Sequence, residues 1–277
     1  MNHPKGILED SGVFCRKDGV VTNQTENDGN FFIKVQNLEK SFGHVRALRN
    51  VGLSILKGEV LAIVGDNGAG KSTLVKILSG AIRPDYGTIM IQSHKYDHLT
   101  PRQAIQMGIS TVYQDLSLVE CRDVASNIFL GRELACGPFI QKRRMKQIAR
   151  TLLERLQIHI PSLDIPVGML SGGQRQAVAV ARAIHQGGRM IILDEPTAAL
   201  GLRESAKVLA LICMLRHQGY SVALISHNLH NVFSVSDRIC VMRSGQRIGL
   251  LNRSDTCPDE VVQMITGTRG NGDEADD

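Results

Sequence analysis

Residues 60–78, VLAIVGDNGAGKSTLVKIL, pass from a continuous apolar run through a glycine turn into a helical pattern, a succession that few folds accommodate. The turn, Gly65-Asp66-Asn67-Gly68-Ala69-Gly70-Lys71-Ser72, fits G-x-x-x-x-G-K-[ST]. The uninterrupted apolar residues before it suit a strand buried in a parallel sheet, and Leu74, Ile77 and Leu78 after it recur at helical spacing. Glycines let the backbone curl closely around a phosphate, successive amide N–H groups point inward, and the positive end of the next helix faces the anion. Lys71 is placed for the terminal phosphates of a nucleoside triphosphate, and the Ser72 hydroxyl for Mg²⁺.

Other short apolar runs read as strands at 31–38, 51–56, 59–64, 87–92, 109–113, 189–193, 220–225, 237–242 and 246–251. Helical patterns separate several of them, which predicts a largely parallel sheet covered by helices. Segment 120–170 differs. Its pattern RRMKQIARTLLERLQI sets Ile148, Leu152, Leu153 and Leu156 on one side and no strand signal is evident, so a helical subdomain inserted into the α/β core is expected. Residues 1 to about 30 lack periodicity and read as a loose extension, and the polar end, 267–277, as a solvated tail. With 43% hydrophobic and 21% charged residues, the chain is neither disordered nor fibrous. No apolar run approaches the roughly 20 residues of a bilayer span, and the first residues lack an apolar signal core, so a cytoplasmic location is expected. The six cysteines form no C-x-x-C pair, which argues against zinc and against a disulfide framework; they read as reduced, mostly packing residues. A net charge of +5 is mild, and the basic run KRRMK (142–146) reads as a solvated helix face.

Two further motifs concern the same anion. RMIILDEPTAAL (189–200) is a second buried strand ending in Asp194 and Glu195; one carboxylate at a strand tip can hold Mg²⁺, and the next can polarise a water for attack on a γ-phosphate. Upstream, LSGGQRQAVAVARA (170–183) opens a helix with Ser171, Gly172 and Gly173, a second anion-binding helix start. One phosphate loop holds one nucleotide, so the second surface asks for another role.

With these motifs in this order, residues 31–266 resemble the ATP-binding cassette (ABC) ATPases. The resemblance implies a phosphate-loop NTPase α/β core with a mainly parallel sheet, an N-terminal antiparallel β subdomain and an α-helical subdomain inserted at about 115–171. It also implies that two cassettes meet head to tail, each ATP lying between one phosphate loop and the other cassette's LSGGQ. By that resemblance Gly65 through Ser72 with Thr73 hold ATP from one side, and Ser171, Gly172, Gly173 and Gln174 from the other. Phe42, in KSFG, would stack on the adenine. Ser72, Gln114 and Asp194 would hold Mg²⁺, Gln114 would sense the γ-phosphate, Glu195 would be the general base, and His227, in ALISHNL, would contact the γ-phosphate. Alone, Phe42 reads as core, Gln114 as a polar strand end and His227 as a surface or capping residue.

Where many members carry an aspartate after the acid pair, this chain has Gly201, which puts the coupling of the two sites in question. VYQDLSLVECRDVASNIFLGREL (112–134) and TAALG look like the ATPases of bacterial monosaccharide importers, including single-cassette members. The resemblance implies a homodimer on the inner face of the cell membrane, bound to a permease and served indirectly by a sugar-binding protein, with the helical insertion docking the permease. The alternative is a non-transport cassette acting on nucleic acid or ribosomes. Repair cassettes carry long coiled coils and translation-type cassettes two copies, and this chain has neither, so no nucleic-acid partner is expected.

Overall fold

A computed structural model describes residues 30–267. The extension and the tail fall outside them, apart from residues 30 and 267. The described chain opens with two antiparallel strands, β1 (Phe31–Phe42) and β2 (Val45–Leu56). Both run further than the apolar pattern predicts. Register shifts along the pair, with Asn37 and Asn50 at positive φ, break the in–out alternation, and beyond Leu38 the ribbon is exposed or half-buried except at the buried Leu48, so the periodicity ends before the pairing does. β3 (Val60–Val64), buried throughout, leads through the glycine turn into α1 (Lys71–Leu78). β4 (Tyr86–Ile91) returns to β1, and the polar β5 (His94–Tyr96), which no apolar run announces, completes a four-stranded sheet in the order β2-β1-β4-β5. α2 (Pro101–Gln106) starts at a Thr100–Gln103 capping box with proline in its first turn, and delivers β6 (Ile109–Val112).

The inserted segment contains α3 (Val124–Ile128), β7 (Ala135–Cys136), β8 (Phe139–Ile140) and α4 (Lys142–Arg155), then a single 3₁₀ turn at Val167–Met169. The β7–β8 hairpin corrects the expectation of a segment without strands: two-residue strands around Gly137 are too short for any periodicity. The face of α4 is also corrected. Met145, Ala149 and Leu153 are buried in i, i+4 succession with Leu156 beyond them, Leu152 is half-buried, and Ile148, a step of about 100° away, is 37% exposed. Lys142, Arg143 and Arg144 are exposed and Lys146 pairs with Asp164, so the basic run is a solvated face.

α5 (Gly172–His185), β9 (Met190–Asp194), α6 (Leu202–His217), β10 (Ser221–Ile225), α7 (Leu229–Val235), β11 (Arg238–Arg243), β12 (Gln246–Asn252) and α8 (Pro258–Thr266) follow. The second sheet has six strands in the order β12-β11-β3-β10-β9-β6, all parallel except the edge strand β12. Its central strands are covered on both sides and so are apolar without alternation. One side of the sheet packs with α1 and the antiparallel sheet, and another core joins α3, α4, α5 and α6 to β9 and β10. The insertion therefore has no core of its own. At the opposite end from the glycine turn, the half-buried Arg238 donates to both oxygens of the buried Glu59, at 2.9 and 2.8 Å, and to Ser54 O at 2.9 Å. This bidentate pair fixes β11 to the β2–β3 connection. Among the described cysteines Cys240 is fully buried, its thiol pushed up to about 12 by burial, whereas Cys121 and Cys136 are exposed and do not pack.

Candidate nucleotide site

Parallel strands deliver their following loops to one edge, and four of the expected site segments meet there. Across the sheet, the glycine turn follows β3, Ser226-His227 follows β10, Asp194-Glu195 ends β9, and Gln114 follows β6. Registers Ile225↔Ile63 and Ile225↔Asp194 bring the first three level.

In the turn, Gly65, Gly68 and Gly70 all lie at positive φ, at 150°, 82° and 98°. Their reasons differ. A Cβ on Gly65 would sit 2.2 Å from Met242 O, and one on Gly70 would sit 2.6 Å from Ala47 O, so strands β11 and β2 press on the loop from behind. Gly68 faces open space, and Asp66, Asn67 and Gly68 are exposed on the loop's outer rim, with Ser72 also exposed at the helix start. Lys71 is buried and folds back, its Nζ donating to Gly65 O at 2.7 Å and Asp66 O at 2.9 Å. Burial lowers its pKa, while the carboxylates of Glu195, Asp66 and Asp194 favour its charge. α1 has no side-chain cap at Gly70, so the amides of Lys71, Ser72 and Thr73 at its first turn are uncapped by side chains.

Opposite lies the acid pair. Burial raises the Asp194 pKa, helped by the neighbouring Glu195 charge and opposed by Lys71 and Lys76. Glu195 has φ 51°, a costly value for a residue with a Cβ, held by its own N–H on Ile225 O at 3.0 Å. Its Oε1 is 2.9 Å from His227 Nδ1, and its Oε2 is buried with no hydrogen-bond partner. A buried, unpartnered carboxylate oxygen is expensive and marks a site that expects a donor. No cluster of three or more His, Cys, Asp or Glu stands ready for a metal among the described residues. The donor set Ser72, Gln114 and Asp194 suits Mg²⁺, which takes few protein oxygens and completes its shell with phosphate and water.

Phe42 ends β1 with 48% of its surface exposed and Lys40 Nζ 5.6 Å from its ring centre. Asp85, absent from any motif, locks the approach to it. Its carboxylate accepts from Lys40 Nζ at 2.6 Å and from Ser41 N at 2.7 Å, and its own N–H donates to Glu39 O at 2.9 Å. The Lys40 bond foremost, then the Ser41 amide, holds the Asp85 carboxyl below the usual range.

The expected second anion surface heads α5. Ser171 caps it in a capping box with Gln174, whose side chain accepts from Ser171 N at 3.1 Å and donates to His159 O at 3.3 Å. Glu204, from the first turn of α6, lies against the same end: its Oε2 accepts from Gly173 N at 2.9 Å. A Cβ on Gly172 would meet Leu200 Cδ2 at 2.4 Å and Glu204 Oε2 at 3.2 Å, so these glycines also admit a neighbour within the chain. Further along α5, Arg182 donates to Leu116 O at 2.6 Å and Ser117 O at 2.8 Å, tying this helix, the signature helix headed by LSGGQ, to the loop that leaves Gln114. Sequence reading missed Glu204 and Arg182. As the third residue of α6, Glu204 looks like a cap for its own helix, and Arg182 looks like a surface cation.

A glycine loop heading a helix beside an acid pair, on a mainly parallel sheet, defines a phosphate-loop nucleotide-binding domain of the α/β class. The chain belongs to the ABC transporter family, whose model matches residues 48–198. It is 44% identical to the xylose/arabinose import ATP-binding protein XylG of Sulfolobus acidocaldarius, over 84% of this chain and 93% of that one. It is 40% identical to the ribose import ATP-binding protein RbsA of Yersinia pestis over 85% of its own length but 46% of the relative's, so it spans about half of that protein. It is also similar to the dimeric structure of an ATP-binding cassette in a post-hydrolysis state bound to ADP and Pi. There the TM-score is 0.67 at 26% identity, covering 80% of this chain and 98% of that one.

Proposed function

We propose that this chain is the ATP-hydrolysing subunit of a membrane importer for a simple sugar, and that it works as a head-to-tail pair of cassettes. The observation that carries the ATPase reading is the buried, unpartnered Oε2 of Glu195 beside the phosphate loop, a proton acceptor with no other occupation. The sugar comes from the relatives' names, xylose/arabinose and ribose import. The pairing is supported by the dimeric cassette and by the second anion surface on α5.

Within the pair, Lys71 exchanges the carbonyls of Gly65 and Asp66 for the terminal phosphates of ATP. The uncapped first turn of α1 binds phosphate oxygens, and Phe42 offers its exposed ring to adenine. Ser72, Asp194 and Gln114 would hold Mg²⁺, which neutralises phosphate charge when bound. Glu195 takes the proton of the attacking water, and His227 holds the carboxylate in place through Oε1. Ser171, Gly172, Gly173 and Gln174 face the partner's nucleotide.

No helix among the described residues is long and apolar enough to cross a membrane, so the sugar's path lies in a partner. We place the protein on the cytoplasmic face of the membrane, with a permease bound at the insertion and a sugar-binding protein beyond it. Purification of the tagged chain from detergent-solubilised membranes of its own host tests this reading: a polytopic permease is expected, and ribosomes, nucleic-acid complexes or no partner would overturn it.

A further inference from the structure

Resting on the composite-site reading above, we propose that Glu204 is a resident anion on the signature helix, a brake that must be released before that helix can grip the partner's nucleotide. The donors at the head of α5 are not free. The Gly173 N–H bonds Glu204 Oε2 at 2.9 Å, and the Ser171 hydroxyl, which accepts from Gln174 N, favours the charge of the same carboxylate. Ser171 first, then the Gly173 amide, holds the Glu204 carboxyl below the usual range, so it is ionised wherever the protein is folded near neutral pH. A carboxylate at a helix start satisfies the amides and the positive end that a phosphate would use.

The backbone explains why Glu204 points there. At the third position of α6 a glutamate ordinarily folds back onto its own cap. Here the cap is Gly201, which has no side chain to start a capping box, and the Glu204 amide bonds Gly201 O at 3.1 Å. The carboxylate instead crosses to α5, and close packing keeps it there: a Cβ on Gly173 would meet Glu204 Cβ at 3.3 Å, and one on Gly172 would meet its Oε2 at 3.2 Å. A phosphate and this carboxylate cannot both take the Gly173 N–H, and their like charges repel. Closure therefore requires the side chain to rotate away.

The test uses the full chain in a Glu195→Gln background, which keeps the ATP-bound pair from being hydrolysed apart, and follows dimer formation by sedimentation velocity as ATP is raised with Mg²⁺. Glu204→Gln retains an acceptor for Gly173 and removes the charge; Glu204→Ala removes both. Each is expected to lower the ATP concentration at half-dimerisation by roughly two- to fivefold per site, the effect of one charge at a helix start. Affinity of the monomer for a fluorescent ATP analogue, read below the dimerisation range, should stay unchanged. An unaltered midpoint in Glu204→Gln overturns the proposal. So does closure weakened by Ala and restored by Gln, the pattern of a residue that only shapes the helix end. If the Glu195→Gln chain never pairs with ATP, the composite-site reading fails and the brake with it; if it pairs and Glu204 is silent, the brake alone fails.

Discussion

Two adjacent carboxylates end β9 and their surroundings separate them. Glu195 is turned by a left-handed backbone so that one oxygen meets His227 and the other meets nothing. Glu195→Gln keeps this shape and loses the base; hydrolysis is expected to fall by about 10²–10⁴ with ATP binding retained, measured as phosphate release against equilibrium binding. Asp194 is destabilised by its own charge. Burial and Glu195 raise its folded pKa above 3.8, so the folded state favours the proton; the stability this lends is present below 3.8 and lost as pH rises through the folded value. Asp194→Asn should therefore melt higher than the parent without nucleotide near pH 7, with the gap closing toward pH 4 in a series of thermal scans, while Mg²⁺-dependent hydrolysis is lost. The placement of such residues was legible in the sequence because their pattern is local: a lysine after a glycine turn or an acid pair after an apolar run proposes its role from neighbours in the chain. Glu204 and Asp85 act on segments distant in sequence, and no local pattern carries that.

Among the elements, α5 joins more of the molecule than its motif suggests. Its head carries the expected second anion surface, its middle lies in the core shared with α3 and α6, and Arg182 near its end grips the carbonyls of Leu116 and Ser117 after Gln114. In the proposed pair, the γ-phosphate side of one site would thus be tied to the helix that faces the other nucleotide. Arg182→Ala leaves both carbonyls without a charged donor and is expected to cost about 2 kcal/mol or more, read from the denaturant midpoint. Arg182→Lys, which lacks the planar fork, should recover only part of it. Element types followed from periodicity wherever a segment had one buried face or two. They were missed where burial was absent, as in β5 and the β7–β8 hairpin, and α4 was read with its face displaced because Ile148 is apolar yet lies at the rim. The end of β1 escaped for another reason, since its bulges reset the alternation.

At the scale of the whole molecule, the antiparallel sheet, α1 and one side of the six-stranded sheet form one core, and the glycine turn is wedged between Ala47 on β2 and Met242 on β11. The fold class was legible because a parallel strand running into a phosphate turn admits few surroundings; how closely the two sheets pinch the turn was not. A ligand in the turn touches the seam between layers, so its binding energy should appear as stability of the entire cassette. Mg²⁺ and ATP at 100 times the dissociation constant should add about 2.7 kcal/mol. For a domain of this size that is a rise in melting temperature of roughly 5–10 °C. Lys71→Ala removes a charge-assisted contact worth about 1.5–3 kcal/mol, so the same ATP concentration should leave it a shift of only a few degrees or less. The comparison must be made within each variant, because Lys71 also bonds Gly65 O and Asp66 O without nucleotide and its loss alters the starting stability. Equal ATP-induced shifts in the two proteins by differential scanning calorimetry would mean that Lys71 serves the loop and not the nucleotide.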